Sequence, residues 1–207
     1  MFSQEFSQRY IYKYKNYKSD FYEQFIPANP IHYFVRHLIK LENYECISAQ
    51  KEIVFNRLAF GTKRTSFLMN MGKPRYRMEY KNLPFDLKAL MYKSKLLKKK
   101  GYEIYCFLND EFFYGEFVVA NVSTDDAAII RKVIVEKYCS AFPQTEKFYI
   151  ADKNKSIVYL IDETYLRIRY MSMKSEYAGK LLNAYNKEKR NVKLKSISGV
   201  SDLHKRL

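Results

Sequence analysis

An α+β fold, with a mostly antiparallel sheet and helices packed on one face of it, is predicted by three features of the sequence. Residues 102–108 and 112–120 are apolar strand patterns joined at Asn109-Asp110, which is typical of a β-hairpin. Residues 165–171 alternate apolar and polar side chains, as a half-buried strand does. Between the predicted strands lie segments whose apolar residues recur with the spacing of a helix that buries one face. With 207 residues, 47% of them apolar, the chain can bury one medium core or two small ones.

The first two helices are predicted from their start and stop signals. Asn29-Pro30 combines a capping residue with proline at the first helical position and begins a helix over residues 30–42. Gly61-Thr62 begins a second helix that runs to residue 71, where Gly72-Lys73-Pro74 ends it. Their buried stripes are expected to contain Ile31, Phe34, Val35, Leu38, Ile39 and Leu41 in the first, and Phe67, Leu68 and Met71 in the second.

Two further helices follow the predicted hairpin. Ser123 or Thr124 caps a helix over residues 124–139, and Asp125 and Asp126 in its first turn face the positive end of the helix. Ser175 begins the last helix, whose apolar stripe fades after Lys187. The inward-facing residues are expected to be Ile129, Ile130, Val133, Ile134 and Tyr138 in the former, and Tyr177, Ala178, Leu181, Leu182 and Tyr185 in the latter.

Other strands are predicted over residues 76–80, 87–93, 146–151 and 157–161, with a basic turn at 98–101. Residues 51–56 fit either a short strand or the end of a connection. A helix, a proline turn and three strands recur in two places, which indicates two similar units within 52–122 and 123–173. The predicted organisation is therefore an aromatic and basic arm (1–28), an α+β domain (29–186) and a basic tail (187–207).

The charge of the chain favours acidic partners. Lys and Arg number 37 and Asp and Glu 22, which gives a net charge of +15. AT-rich codons offer a second explanation for the many lysines, asparagines and tyrosines. The bases cluster in the arm among tyrosines, near residue 98 and in the tail. The candidate binding residues, including two arginines on a predicted strand face, are Lys93, Lys95, Lys98, Lys99, Lys100, Arg167, Arg169, Lys187, Lys189, Arg190 and Lys193.

No arrangement typical of catalysis occurs in the sequence. Phosphate-binding glycine loops, nucleophile elbows and zinc-protease helices are all missing, and the three cysteines, Cys46, Cys106 and Cys139, lack metal-ligand spacing. The two acids that most resemble the carboxylate pair of a nuclease are Glu116 and the nearby Asp110, but the spacing between them matches no nuclease pattern. We therefore expect no catalytic residues, no metal and no cofactor; this favours a chain that is not an enzyme and leaves the question open.

Neither a membrane-spanning segment nor a signal sequence is predicted. The longest apolar runs, such as Ile157–Ile161, have about five residues, whereas a membrane-spanning helix needs about twenty. The first residues contain no apolar stretch of the kind that secretory signals have, and no lipobox cysteine follows them. The sequence as written therefore predicts a cytoplasmic protein, or a periplasmic or secreted one if a signal peptide has been removed.

Several short motifs resemble the SmpA/OmlA and β-lactamase-inhibitor-like modules of bacterial lipoproteins. They are Phe60-Gly61-Thr62-Lys63, then Phe67-Leu68-Met69 and Gly72-Lys73-Pro74 ahead of the strand 102–108, and the later segment IVYLID…YLRIRYMS. The resemblance covers roughly residues 52–172. It implies a helix followed by an antiparallel sheet, in a non-catalytic protein-binding module. The missing lipobox and the absence of tryptophan depart from the family pattern.

Three hypotheses on function follow. The first is a non-catalytic protein-interaction or scaffold module with a basic surface. The second is a nucleic-acid-binding protein that uses the lysine clusters and exposed tyrosines. The third is a divergent enzyme without a recognisable motif. The expected partners are accordingly a protein first, a nucleic acid second and an anionic membrane surface third.

Overall fold

The computed structural model describes residue 25, residues 29–80 and residues 83–204, with side chains as far as residue 190. It divides the chain into two units, Met1–Pro30 and Ile31–Leu207. Nearly all of the predicted arm 1–28, and the side chains of the predicted tail beyond residue 190, lie outside the described residues. The second unit contains the whole sheet and almost all of the described helical residues.

The described elements are four helices and eight strands. The helices are α1 (Pro30–Leu41), α2 (Arg64–Met71), α3 (Thr124–Tyr138) and α4 (Ser175–His204). The strands are β1 (Glu45–Ser48), β2 (Tyr76–Tyr80), β3 (Leu87–Leu96), β4 (Lys99–Leu108), β5 (Glu111–Val119), β6 (Phe148–Ala151), β7 (Ser156–Asp162) and β8 (Leu166–Ser172).

All eight strands form one sheet, in the order β1-β6-β7-β8-β5-β4-β3-β2. Only the pair of β1 and β6 is parallel among the described strands, and every other pair is antiparallel. The predicted α+β class is therefore confirmed. The predicted elements of the two units are present as α2 with β2–β4 and α3 with β6–β8, and β5 lies between the two sets in the sheet. The similarity of the two units stays a prediction.

Helices cover both faces of the sheet, whereas the sequence predicted them on one face. On the first face α2 and α3 enclose the main core with the sheet; its largest members include Phe55, Phe67, Tyr105, Phe107, Phe112, Ile130, Ile134, Tyr138, Ile168 and Tyr170. On the second face Phe34 of α1 lies 4.9 Å from the ring of Tyr114, and Tyr177 of α4 lies 6.0 Å from the ring of Phe113. Both sets of alternating strand residues are therefore buried.

The positions of the turns show where the predicted strands begin and end. Asn109 and Asp110 have φ angles of 50° and 68°, the left-handed pair that a two-residue hairpin needs, so the predicted hairpin is confirmed. The expected basic turn at 98–101 lies instead at Leu97 and Lys98, because residues 99–101 already pair as the start of β4. β1 was not predicted, and residues 51–56 form only an isolated bridge between Phe55 and Leu58.

Capping and burial in α3 were predicted in part. Ser123 accepts a hydrogen bond from the backbone N–H of Asp126, and the carboxylate of Asp126 accepts one from the backbone N–H of Ser123, so the capping box is present. Ile130, Ile134 and Tyr138 are buried as expected. Ile129 and Val133 are 50% and 55% exposed, contrary to the predicted stripe, because Ala127 and Val135 take the sheet-facing positions instead.

Within the described residues, no helix combines the length and the apolar character that crossing a bilayer requires. The three cysteines are free, with Cys106 buried, Cys139 half-buried and Cys46 exposed. Burial raises the pKa of the Cys106 thiol well above its usual range, which keeps this side chain protonated and inert.

Candidate binding surface and buried charge cluster

The turn between β3 and β4 brings four of the predicted lysines together. Lys95 lies directly opposite Lys100 in the antiparallel register. Lys93 points to the same face as both, since strand residues two apart share a face. Lys98 follows in the turn itself, and all four side chains are exposed. We call these four lysines together with Leu97 the basic tip.

The positive charge of the basic tip is not neutralised by the rest of the described chain. No ion pair is formed by its four lysines among the described residues, whereas Lys40, Lys63, Lys88 and Lys132 each lie within 4 Å of a carboxylate. Like charges directly opposite each other on two strands are destabilising. The tip therefore holds cations together at a cost in stability, which an acidic ligand would remove.

Leu97 is the unusual residue of the tip. Eight described residues other than glycine have a positive φ, and seven of them are polar. Leu97 is the eighth, with φ 49°, and its side chain is 44% exposed. The left-handed conformation costs a residue with a Cβ roughly 1–2 kcal/mol, least for Asn and Asp. The chain thus places a leucine in solvent at a position that favours asparagine or glycine.

Lys99 belongs to the sequence-predicted cluster but not to the basic tip. Its Nζ donates to the backbone oxygen of Asn121 at 2.9 Å and pairs with the carboxylate of Asp126 at 2.8 Å. The hydrogen bond from Lys99 lowers the pKa of Asp126. Lys99 therefore ties the turn end of the β3–β4 hairpin to the first turn of α3, and its charge is paired within the chain.

Arg167 and Arg169 were expected on an exposed face of the last strand, and the structure places them under α1. The side chain of Arg169 is 3% exposed and that of Arg167 13%. Arg169 Nε donates to Glu116 at 2.7 Å and Arg167 Nη1 donates to the same oxygen at 3.1 Å. They are therefore internal ion-pair partners rather than a binding surface.

Two side chains of α1 complete this buried charge cluster. Tyr33 donates its hydroxyl proton to Glu116 at 3.2 Å and accepts from Arg169 Nη2 at 2.6 Å. The ring of His37 lies beside Arg169, with Nη1 2.7 Å from Nε2. Burial, with the charge of Arg169 added, lowers the pKa of His37 to about 3. The cluster fixes the position of α1 on the sheet and keeps His37 neutral.

This neutral histidine predicts a dependence of stability on pH. The pKa of His37 falls from the ordinary histidine value of 6.5 to about 3 in the folded protein, so the unfolded chain binds more protons between these values. The free energy of unfolding should therefore fall as the pH drops below about 6.5, by about 3 kcal/mol at a pH near 4.5. Urea titrations of the wild type and of His37→Gln across this range measure the effect.

In that experiment His37→Gln should flatten the pH profile. His32→Gln is the matched control, because it replaces a second histidine of α1 whose side chain is 43% exposed and lies outside the buried charge cluster. Parallel profiles for the wild type and His37→Gln would show that His37 is not the titrating group.

The remaining predicted cations lie on α4. Lys187, Lys189 and Arg190 are exposed, and Lys189 Nζ lies 5.7 Å from the centre of the Tyr185 ring. Glu188 on the same turn pairs with His32 of α1, which places this group beside α1 rather than in the β3–β4 hairpin. The side chain of Lys193 lies outside the described residues. The structure therefore splits the predicted surface into two separate groups.

The carboxylates do not converge. Asp110 pairs with Arg64 at 2.7 Å in the β4–β5 turn, while Glu116 is enclosed in the buried charge cluster. In the part of the chain that the structure describes, no three His, Cys, Asp or Glu side chains are close enough together to hold a metal ion. The two acids considered for a nuclease therefore serve two different ion pairs.

No protein-family profile matches the chain, and no curated protein or solved structure is significantly similar to it. The resemblance to SmpA/OmlA-like modules therefore stays a prediction. Leu97 is the candidate residue that the sequence did not reveal, since only its positive φ and its exposure distinguish it from its neighbour Leu96.

Proposed function

We propose that the chain is a non-catalytic protein-interaction module that binds an acidic partner protein through the basic tip. The observation that carries this proposal is the exposed Leu97, held in a left-handed conformation among four unpaired lysines. An exposed apolar side chain gains free energy when a partner protein covers it, and the cations around it complement an acidic surface. The lysines would attract and orient the acidic partner, and Leu97 would bury its side chain in it.

A protein partner accounts for both the lysines and the exposed Leu97 of the basic tip, whereas a nucleic acid accounts only for the lysines. Phosphates would neutralise the lysines equally well, but binding to a phosphate backbone gains nothing from an exposed leucine. A strained backbone tends to persist where a ligand makes use of it. The resemblance to bacterial protein-binding modules supports the same proposal, and a nucleic acid or an anionic membrane becomes an outcome of the test.

The test captures partners from a lysate of the source cell with the full chain, with and without nuclease, and identifies them by cross-linking from the tip. One variant replaces Lys93, Lys95, Lys98 and Lys100 with Gln. Its control replaces four other exposed lysines, distributed outside the hairpin, so that the net charge changes equally: Lys51, Lys147, Lys153 and Lys174. The tip variant should lose the partner and the control should retain it.

Leu97→Asn separates function from stability. Asparagine tolerates the left-handed conformation, so the variant should be more stable than the wild type by about 0.5–1 kcal/mol. It should nevertheless lose the partner that the wild type cross-links. Thermal unfolding and the capture experiment measure the two effects in the same preparation.

Two outcomes would contradict the proposal. Nuclease-sensitive capture that Leu97→Asn leaves intact would identify a nucleic acid as the ligand. Binding to vesicles of anionic lipid, with no cross-linked protein, would identify a membrane surface.

A further inference from the structure

A groove of roughly 480 Å³ lies on the second face of the sheet, away from the basic tip. Its walls are the carboxyl end of α1, one residue of α4 and the strands β6 and β7 with the turn between them; they include Leu38, Leu41, Tyr149, Ile157, Met173 and Leu182. The volume falls within the range of about 300–1,000 Å³ that is typical of small-molecule sites. The groove is large enough for a ligand of moderate size.

The apolar side chains of the groove are almost all aliphatic. Ile39 and Leu182, which line it from α1 and α4, are 45% and 38% exposed. They are two of the eight large apolar side chains that are exposed in the described residues. An aliphatic chain lying between them would remove this surface from water, at about 25 cal/mol for each Å² that is buried.

One cation at the rim is available to a ligand. Lys155 lines the groove from the β6–β7 turn, with a φ of 59°, and the backbone N–H of Met173 donates to its carbonyl at 2.6 Å. No ion pair of Lys155 occurs among the described residues. The carboxylate of Asp152 also lines the groove, but it is buried and forms no ion pair with Lys155. Its oxygens accept from the backbone N–H groups of Ile53, Asn154 and Ser156, and these dipoles offset part of its negative charge.

The opposite charge lies on the α1 side of the groove. Glu42 lines it immediately after the last residue of α1, where the carbonyl end of the helix adds a partial negative charge. An anionic head group would be repelled by Glu42 and attracted by Lys155. The charges therefore favour one orientation, with the head at the β6–β7 turn and the aliphatic chain between α1 and α4.

We propose that this groove binds a single-chain aliphatic amphiphile with an anionic head group, of the fatty-acid class. Lys155 pairs with the head, and Leu38, Ile157 and Leu182 contact the chain. A free acid and the acyl chain of a membrane lipid share this chemistry. The proposal is independent of the basic tip, which lies on other strands.

The absence of tryptophan from the chain permits a direct test. Leu182→Trp places a single indole at the groove, and Phe142→Trp places one on the exposed α3–β6 connection as a control. Undecanoate with a terminal bromine, kept below its micelle concentration, should quench the fluorescence of Leu182→Trp and not that of Phe142→Trp. The same brominated chain with a trimethylammonium head should bind more weakly.

Second substitutions in the Leu182→Trp protein test each contact. Lys155→Met should weaken binding of the acid by about three- to fivefold, as expected for an exposed ion pair. Glu42→Gln should leave it equal or tighter, and Ala151→Phe, which fills the groove, should abolish it. Lys155→Met is an exposed change, so it remains informative if Ala151→Phe fails to fold.

A second experiment uses vesicles that contain brominated phospholipid, and it distinguishes a free acid from a membrane lipid as the source of the aliphatic chain. Quenching by the free acid alone identifies a soluble ligand, and quenching by vesicles alone identifies a membrane lipid. Either result supports the site. Quenching in neither experiment, equal quenching of both tryptophans, or tighter binding of the trimethylammonium probe would overturn the proposal.

Discussion

Glu116→Ala should lower the free energy of unfolding by about 3–5 kcal/mol, the usual loss when one partner of a buried ion pair is removed. Glu116 is 1% exposed and is the only carboxylate within 4 Å of either Arg167 or Arg169 in the described chain. Its removal leaves two guanidinium groups under α1 without a counter-charge. Urea unfolding followed by circular dichroism measures the loss.

An exposed carboxylate is the control for this substitution. Glu163 lies 3.9 Å from Lys40 and both side chains are more than half exposed, so Glu163→Ala should cost no more than about 1 kcal/mol. Glu116→Gln retains hydrogen-bonding capacity without the charge and should fall between the two alanine variants. A loss below about 1 kcal/mol for Glu116→Ala would show that water or another acid compensates the arginines.

Gly115→Ala should destabilise the protein by about 2–3 kcal/mol, the loss that overpacking a well-filled core usually causes. A Cβ at position 115 of β5 would overlap the ring of Phe55. That ring is fully buried and is held between the rings of Tyr105, Phe117 and Tyr170, so it has little room to move. Thermal and urea unfolding give the free-energy change.

A double-mutant cycle identifies the clash as the cause. Phe55→Leu removes part of the ring, so Gly115→Ala should cost clearly less in that background than in the wild type. Gly179→Ala in α4 is the matched control, because a Cβ at position 179 would meet no neighbouring atom within 4 Å. Alanine there should stabilise the helix by about 0.5–1 kcal/mol. Equal losses at position 115 in both backgrounds would contradict the packing argument.

Local signals in the sequence were sufficient for most of the elements. Asn109-Asp110 predicted the central hairpin because both residues tolerate a left-handed backbone. Ser123 or Thr124, followed by Asp125 and Asp126, predicted the start of α3, because a hydroxyl caps a helix and acids favour its positive end. β1 was missed because it has only four residues, and its position depends on parallel pairing with β6, about a hundred residues further along the chain.

The candidate sites were predicted less well. The lysines of the basic tip are close in sequence and therefore remain close in space. The alternation of charged and apolar residues did not predict the burial of Arg167 and Arg169. Such a strand has the same sequence pattern whether its charged face contacts water or a buried carboxylate. Their partner Glu116 is about fifty residues away, on a neighbouring strand.

By itself, the sequence determined the α+β class, the central hairpin and the surplus of positive charge, since these depend on composition and on neighbouring residues. Only the tertiary structure decided which charges are neutralised internally and which stay available to a partner. It also decided which helices cover each face of the sheet. Ion pairing and burial depend on distances between residues far apart in the chain, and these distances are set when the strands pair and the helices pack.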